Sequence, residues 1–280
     1  MPAPDQAWIN GEVATALHLP DRGLDYGDGL FETMPVIAGR IPWLGHHLDR
    51  LRDGLQRLGF PEGADRQARA HILEALDACR FHAVMRLTVT RGRAPRGYAP
   101  IDSPTPNYII QLAPMETVGQ PGLPAASIGH SRITLAKQPA LAGIKHLNRL
   151  EQVLAARERQ TSGFDEMLMT DNEGNAISTI SGNLFLVSRG QLLTPTLIHC
   201  GILGTRRRLL LEVLAPALGF ECRETVITEA DVRNADEVLY CNSVRGFQPI
   251  GRYADRRWRS HPAVYRLQAL YRERLHACGA

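Results

Sequence analysis

The sequence predicts an α+β fold in two halves, and three observations predict it. The first half holds a stretch of apolar–polar alternation beside a helical leucine stripe, and the second half holds expected strands set off by turns between expected helices. Between the halves, Pro114-Met115-Glu116-Thr117-Val118-Gly119-Gln120-Pro121-Gly122 lacks periodicity and holds two prolines and two glycines, which is linker composition. The chain has 280 residues, 44% hydrophobic and 22% charged, an ordinary globular composition with length for one large domain or two smaller ones. Residues 1–114 are therefore expected as a small N-terminal domain, 115–124 as an interdomain linker and 125–280 as a large C-terminal domain.

In the first half, residues 30–37 and 41–44 flank Ala38-Gly39-Arg40 and predict a hairpin. Leu44, Leu48, Leu51, Leu55 and Leu58 follow at helical spacing, with Gly59 as the stop. Arg86, Thr88 and Thr90 alternate with Met85, Leu87 and Val89, which predicts a strand over 84–90, and 107–113 predicts another.

The second half is expected to open with a helix after Lys145 that places Leu147, Leu150, Val153 and Leu154 on one side. Strands are expected at 165–170, 176–180, 183–187 and 191–194, turning at Asn172-Glu173-Gly174-Asn175 and Ser188-Arg189-Gly190. A helix from Thr205 to Leu218 closed by Gly219, strands at 222–227 and 237–242, and a helix at 262–276 complete the half.

Charge and composition exclude several functions. The formal net charge is only +3 and the cations are scattered, so neither nucleic acid nor an acidic membrane is an expected partner. No signal peptide and no apolar stretch of bilayer-spanning length is recognised. Cys79, Cys200, Cys222, Cys241 and Cys278 are odd in number and none has CxxC spacing, so no disulfide framework or metal site is expected and a cytoplasmic location fits. Gly27-Asp28-Gly29 does not make a dinucleotide fingerprint, because no GxGxxG follows a strand.

Among 32 cationic residues, only Lys137 and Lys145 are lysines. Arginine serves wherever charge alone is needed, but its guanidinium does not deprotonate and cannot attack a carbonyl as a neutral amine. Each lysine is thus either a surface survivor or a nucleophile. Three further segments have the chemistry to hold a phosphate, which calls for a positioned cation, a hydroxyl and N–H groups at a helix start. Arg50 lies on the leucine-striped helix, where it also suits an ordinary solvated position. Gly201-Ile202-Leu203-Gly204-Thr205-Arg206-Arg207 is a glycine turn feeding a helix, where Thr205 also suits a simple N-cap. Asn242-Ser243 ends a strand and also suits a plain turn.

Together these segments resemble the class IV (fold-type IV) pyridoxal-phosphate aminotransferase superfamily. Gly143-Ile144-Lys145-His146-Leu147-Asn148-Arg149-Leu150-Glu151-Gln152-Val153-Leu154 resembles the lysine segment of the 4-amino-4-deoxychorismate lyases within it. Asp21–Thr33 resembles the N-terminal signature, His47–Leu51 the phosphate-binding arginine segment, and Asn183-Leu184-Phe185, Gly201–Arg207 and Asn242-Ser243 the remaining blocks, over residues 8–250. The resemblance implies a two-domain fold with the cofactor, pyridoxal 5'-phosphate, between a small N-terminal and a larger C-terminal domain. It implies Lys145 as the Schiff-base lysine and proton-transfer group, Arg50 and Ser243 as phosphate ligands, and Thr205 and Arg206 as backbone donors to that phosphate. Arg96 and Tyr98 match positions that hold a substrate carboxylate from a partner subunit, which implies a homodimer. The implied reaction converts 4-amino-4-deoxychorismate to 4-aminobenzoate and pyruvate, in folate biosynthesis. D-amino acid or branched-chain transamination on the same fold, and a non-catalytic cofactor-binding protein, are the alternatives.

One position departs from the pattern. Five residues before the Asn-Leu-Phe block the family usually carries a glutamate facing the cofactor's pyridine nitrogen, and this chain has Ser178. A hydroxyl stabilises a pyridinium weakly and can instead donate to a neutral ring nitrogen. Either the ring works unprotonated, or an acid such as Glu166 or Glu173 reaches in, or the site is impaired.

Overall fold

Antiparallel pairing and a helical leucine stripe build the first part of the chain. The computed structural model describes residues 6–14, 16–79, 81–115 and 123–279. By its packing the chain divides into two units, one of Met1–Gly119 with Ile144–Asn148 and Cys278–Ala280, the other of Gln120–Gly143 with Arg149–Ala277. Most of the expected linker at 115–124, residues 116–122, lies outside the described residues.

The first unit holds β1 (Gln6–Ile9), β2 (Glu12–Val13), α1 (Arg22–Tyr26), β3 (Gly29–Val36), α2 (Leu44–Arg57), α3 (Ala64–Ala78), β4 (Ala83–Thr90) and β5 (Asn107–Pro114). Its sheet runs β2-β1-β5-β4-β3, with β3 at one edge. Strand alternation sends Leu30, Met34, Met85, Leu87, Ile110 and Leu112 to one face, where each is at most 2% exposed. Leu51 and Leu55 of α2 and Ala68 and Ile72 of α3 are buried with them. Full burial of one such aliphatic side chain stabilises by about 1.5–3 kcal/mol. Helix α2 approaches β3 closely at Gly54, where a β-carbon would stand 2.8 Å from a methyl of Leu30.

The second unit holds β6 (Ala126–His130), α4 (Leu150–Ser162), β7 (Glu166–Thr170), β8 (Ala176–Thr179), β9 (Asn183–Ser188), β10 (Gln191–Pro195), α5 (Thr205–Leu209), α6 (Ala215–Ala217), β11 (Glu221–Thr225), α7 (Glu229–Asn234), β12 (Glu237–Asn242), β13 (Gly246–Tyr253), β14 (Arg256–Arg257) and α8 (Pro262–Gly279). Its nine-stranded sheet runs β11-β10-β9-β12-β13-β6-β7-β8, with β14 on β13. Successive residues of β7 enter different cores. Leu168 joins Ile128, Leu184, Val238 and Ile250, whereas Met169 joins Leu135, Ala155, Ile177 and Leu197. Among the described residues no helix is long and apolar enough to cross a membrane. Helices combined with an antiparallel sheet in the first unit and a mixed sheet in the second make the fold α+β, as the sequence predicts.

Several element expectations need correction. Residues 41–44 form no strand: after the turn Ile37 meets Arg40 in an isolated bridge, Pro42 has no N–H to give a ladder, and Trp43 (φ 55°) already caps α2. The helix expected directly after Lys145 begins only at Leu150, because the lysine segment pairs with a strand instead. The apolar face expected there is not buried, with Leu150, Val153 and Leu154 at 75%, 58% and 48% exposure. The helix expected over 205–218 widens into a π-turn at Leu210–Leu214 just before Pro216, which has no N–H for a regular helical bond.

Candidate active site

Lysine 145 is held on the free edge of β3. The Phe31 N–H donates to the Lys145 carbonyl (2.9 Å), the Leu147 N–H donates to the Gly29 carbonyl (3.0 Å), and His146 bridges Leu30 antiparallel. The segment therefore behaves as one more short strand, which satisfies edge groups that would otherwise face water. Two glycines make room for it. A β-carbon at Gly27, whose φ is +65°, would lie 2.6 Å from Asn148 Oδ1, and one at Gly29 would lie 2.8 Å from a Leu147 methyl. Asn148 Nδ2 in turn donates to the Gly27 carbonyl at 3.2 Å. The Gly27-Asp28-Gly29 sequence that fails as a dinucleotide motif is thus the seat of the lysine segment.

The register aims Lys145 at an aromatic ring, with Nζ 4.2 Å from the Phe31 centroid. Arg86, opposite Thr33 on β4, brings its guanidinium carbon to 4.1 Å from the same centroid. An amine and a guanidinium therefore share one aromatic face-bearing residue, each favoured by the ring quadrupole. Sequence reasoning missed Arg86, reading it only as the polar side of an alternating strand.

Arg50 is tied to the next residue of β3. Its Nε donates to Glu32 Oε1 (2.8 Å) and its Nη2 to Oε2 (2.5 Å), a bidentate pair. His47 Nδ1 stands 2.6 Å from Glu32 Oε2 and is the donor, since an ionised carboxylate only accepts. Helical spacing puts His47 and Arg50 three apart on one face of α2. Glu32 is 1% exposed. Burial alone would raise its pKa, but the Arg50 charge and the His47 hydrogen bond outweigh it and hold the carboxyl at about 2. Glu32 and His47 were visible only as members of motifs, because their partnership spans 15 residues of sequence.

The second unit assembles another set. Ser178 of β8 pairs with Asn183 of β9 in register. Asn183 Nδ2 donates to the Ile202 carbonyl at 2.8 Å, and a β-carbon at Gly204 would stand 2.0 Å from Asn183 Oδ1. Position 204 has no room for a side chain for that reason. Gly201, with φ +89°, is pinned by the Gly143 N–H donating to its carbonyl (2.9 Å), and the Leu203 N–H returns a bond to Gly143 (3.0 Å). Gly204, not Thr205, is the N-cap of α5. Its first N–H groups have no acceptor within the helix, which is the feature that binds anions.

Thr205 is buried, and Arg206 is fully buried with Nε donating to the Tyr271 hydroxyl at 3.1 Å. Burial pushes the Cys241 thiol up to about 12 against the opposing charges of Arg207 and Arg206, so Cys241 is a neutral thiol rather than a nucleophile. Ser243 sits in the turn after β12, shaped by the Val244 and Arg245 N–H groups donating to Asn242 Oδ1 (3.1 and 2.8 Å).

The acids named as substitutes near Ser178 are engaged elsewhere. Glu166 accepts from Ser181 Oγ at 2.5 Å, and Glu173 pairs with Lys137 at 2.6 Å while 65% exposed. Lys137 is thereby a surface ion-pair lysine. Arg96 and Tyr98 lie on the exposed connection between β4 and β5, Tyr98 at 86% exposure.

Each unit by itself offers groups of the kind that pyridoxal 5'-phosphate needs: the first a lysine beside an aromatic ring and an oriented arginine, the second a helix start capped by Gly204 and a serine hydroxyl.

A profile of the family described as Amino-transferase class IV matches residues 29–253. An aminodeoxychorismate lyase of Vibrio harveyi is 31% identical over 87% of this chain and 89% of its own length. The crystal structure of 4-amino-4-deoxychorismate lyase from Pseudomonas aeruginosa superposes with a TM-score of 0.89 at 38% identity, covering 95% of this chain and 98% of that one. A D-alanine aminotransferase of Bacillus licheniformis is 27% identical over 84% of this chain and 82% of its own.

Proposed function

Because the chain belongs to the class IV aminotransferase family, whose members depend on pyridoxal 5'-phosphate, we propose that it is the lyase that converts 4-amino-4-deoxychorismate to 4-aminobenzoate and pyruvate. The observation that carries this is the Lys145–Asn148 segment on the edge of β3, with Arg86 sharing the ring that Lys145 faces. The substrate carries two carboxylates, for which this proposal names two arginines, Arg86 and the partner subunit's Arg96.

When bound, the cofactor supplies an electron sink for the carbon that bears the substrate's nitrogen. Lys145 anchors the cofactor covalently. A free lysine has a pKa of about 10.4, so a proton-accepting role belongs to the amine released in its neutral form beside the substrate. Lys145 would take the proton from the ring carbon bearing nitrogen and return it to the methylene carbon of the departing enolpyruvate, so that the C–O bond breaks, pyruvate leaves and the ring becomes aromatic. Arg50, oriented by Glu32 and His47, would be one ligand of the phosphate, and the Thr205 and Arg206 N–H groups and the Ser243 hydroxyl are the others this proposal assigns. The enzyme is a homodimer in this proposal, and the exposed apolar stripe Leu150, Val153 and Leu154 of α4 suits a subunit interface. Cys79, Cys200, Cys222 and Cys241 are free thiols, which suits the cytoplasm.

The deciding experiment measures pyruvate release from 4-amino-4-deoxychorismate against amination of keto acids by the same preparation. Lyase turnover far above transamination is expected; the reverse ratio would replace the proposal with an aminotransferase. Ser178 gives a second expectation. A hydroxyl leaves the ring a weaker sink, and loss of pyruvate is assisted by aromatisation of the substrate whereas transamination is not. Ser178→Glu should therefore raise transaminase activity by about tenfold while lyase turnover changes less. A large fall in transamination would count against this role.

A further inference from the structure

Residues 91–106 link β4 to β5 without regular structure, and beyond Arg91 the loop is tied chiefly to α1 and its cap. The two ends are tied to Asp21. Thr90 Oγ1 and Asn107 Nδ2 both donate to Asp21 Oδ2, at 2.7 and 2.8 Å, and Asp21 Oδ1 caps α1 by accepting from the Gly23 N–H at 2.8 Å. The middle is tied to Arg22, which is 5% exposed. Its Nη1 donates to the Gly97 carbonyl (2.9 Å) and, more weakly, to that of Ala99 (3.5 Å), and its Nη2 donates to that of Tyr98 (2.7 Å). The Arg22 N–H also donates to the Gly92 carbonyl at 2.9 Å.

The guanidinium itself is fixed from behind. Asp28 Oδ2 accepts from Arg22 Nε and from Arg91 Nε, each at 2.8 Å. The remaining nitrogens of Arg91 donate to the Gly59 and Leu58 carbonyls (3.0 and 2.6 Å). Tyr26 adds a second tie, its hydroxyl accepting from the Gly97 N–H (3.3 Å) and its ring standing 5.4 Å from that of Tyr98. The loop and α1 border an open cleft of about 570 Å³ lined by Arg22, Tyr26, Pro95 and Arg96.

We propose that Arg22 is a positioning residue for substrate specificity: its fork grips three successive carbonyls and so presents Arg96 and Tyr98 in a set geometry to a substrate carboxylate. This rests on the reading of Arg96 as a carboxylate ligand. An exposed loop arginine loses much of its binding gain to its own ordering, and a loop ordered beforehand avoids that loss. Lysine cannot replace Arg22, because one ammonium cannot meet Asp28 and three carbonyls at once.

The test measures steady-state kinetics with 4-amino-4-deoxychorismate on wild type, Arg22→Lys, Arg96→Ala and the double variant. Arg22→Lys should raise KM about tenfold and change kcat less than about threefold, and should add little to Arg96→Ala, since both remove one interaction. Trypsin cleavage after Arg96 should also quicken in Arg22→Lys. A raised KM in Arg96→Ala with an unmoved KM in Arg22→Lys, or full additivity in the double variant, overturns the proposal. An unmoved KM in Arg96→Ala overturns the reading of Arg96 and the proposal with it. Should Arg22→Lys not fold, Arg22→Gln carries the same comparison, because its neutral amide can still donate to one of the carbonyls but cannot grip all three.

Discussion

Lys145→Ala is expected to lower pyruvate release by about a thousandfold or more, the scale on which a covalent anchor that is also the proton carrier contributes. Borohydride treatment should attach the cofactor to the Lys145 peptide of the wild type, read by mass spectrometry, and leave the variant unlabelled. Folding should be almost unaffected. The segment is held by backbone bonds from Phe31 and Leu147 and by Asn148, none of which uses the lysine side chain. A small alkylamine added to the variant should restore part of the turnover. Wild-type turnover in Lys145→Ala without added amine would remove the residue from its proposed role.

Arg50→Ala is expected to cost both cofactor affinity and stability. It deletes one partner of a pair only 11% and 2% exposed and leaves the Glu32 carboxylate with His47 alone. Removing one member of a buried pair typically costs about 3 kcal/mol or more, which a urea midpoint would register. The pH dependence has a definite sign. Glu32 is held at about 2 against an ordinary 4.5, so its contribution is fully present above 4.5 and is lost as the pH falls toward 2. The stability difference between wild type and Glu32→Gln should therefore be flat above pH 4.5 and shrink below it. A difference unchanged down to pH 2 would mean that Glu32 is not the ionised centre of this cluster.

What could be read from the sequence follows from the range of the interactions. The α2 stripe was legible because helical spacing is local, and Leu51 and Leu55 are buried as it requires. Strands β7, β9, β10 and β12 were legible as short apolar runs set off by turns. Helix α3 was missed because its buried face is built largely from Ala64, Ala68 and Ala75, which carry little periodic signal. Strand β13 was missed because Pro249 in its middle argues against a central strand. The apolar residues after Lys145 read as a helix, but Phe31 and Gly29, more than a hundred positions earlier, recruit that segment as a strand.

The candidate site divides in the same way. Scarcity singled out Lys145, and motif order singled out Arg50, Thr205, Arg206 and Ser243. Glu32, Arg86 and Arg22 act through partners far away in sequence, so neither spacing nor composition could raise them above ordinary polar residues.

The edge pairing of the lysine segment also bears on how this chain tolerates insertions and deletions. Along a strand the side-chain direction reverses at every residue, so a one-residue slip turns each side chain to the other face. A single codon gained or lost between Gly143 and Asn148 would leave the composition intact and swing the amine away from Phe31. Gly27 and Gly29 pack against Asn148 and Leu147 in this register, so a slip would also break those contacts. Length variation in descendants of this sequence should therefore gather in exposed connections away from the proposed site and be purged from these six positions, even where substitutions among them are accepted.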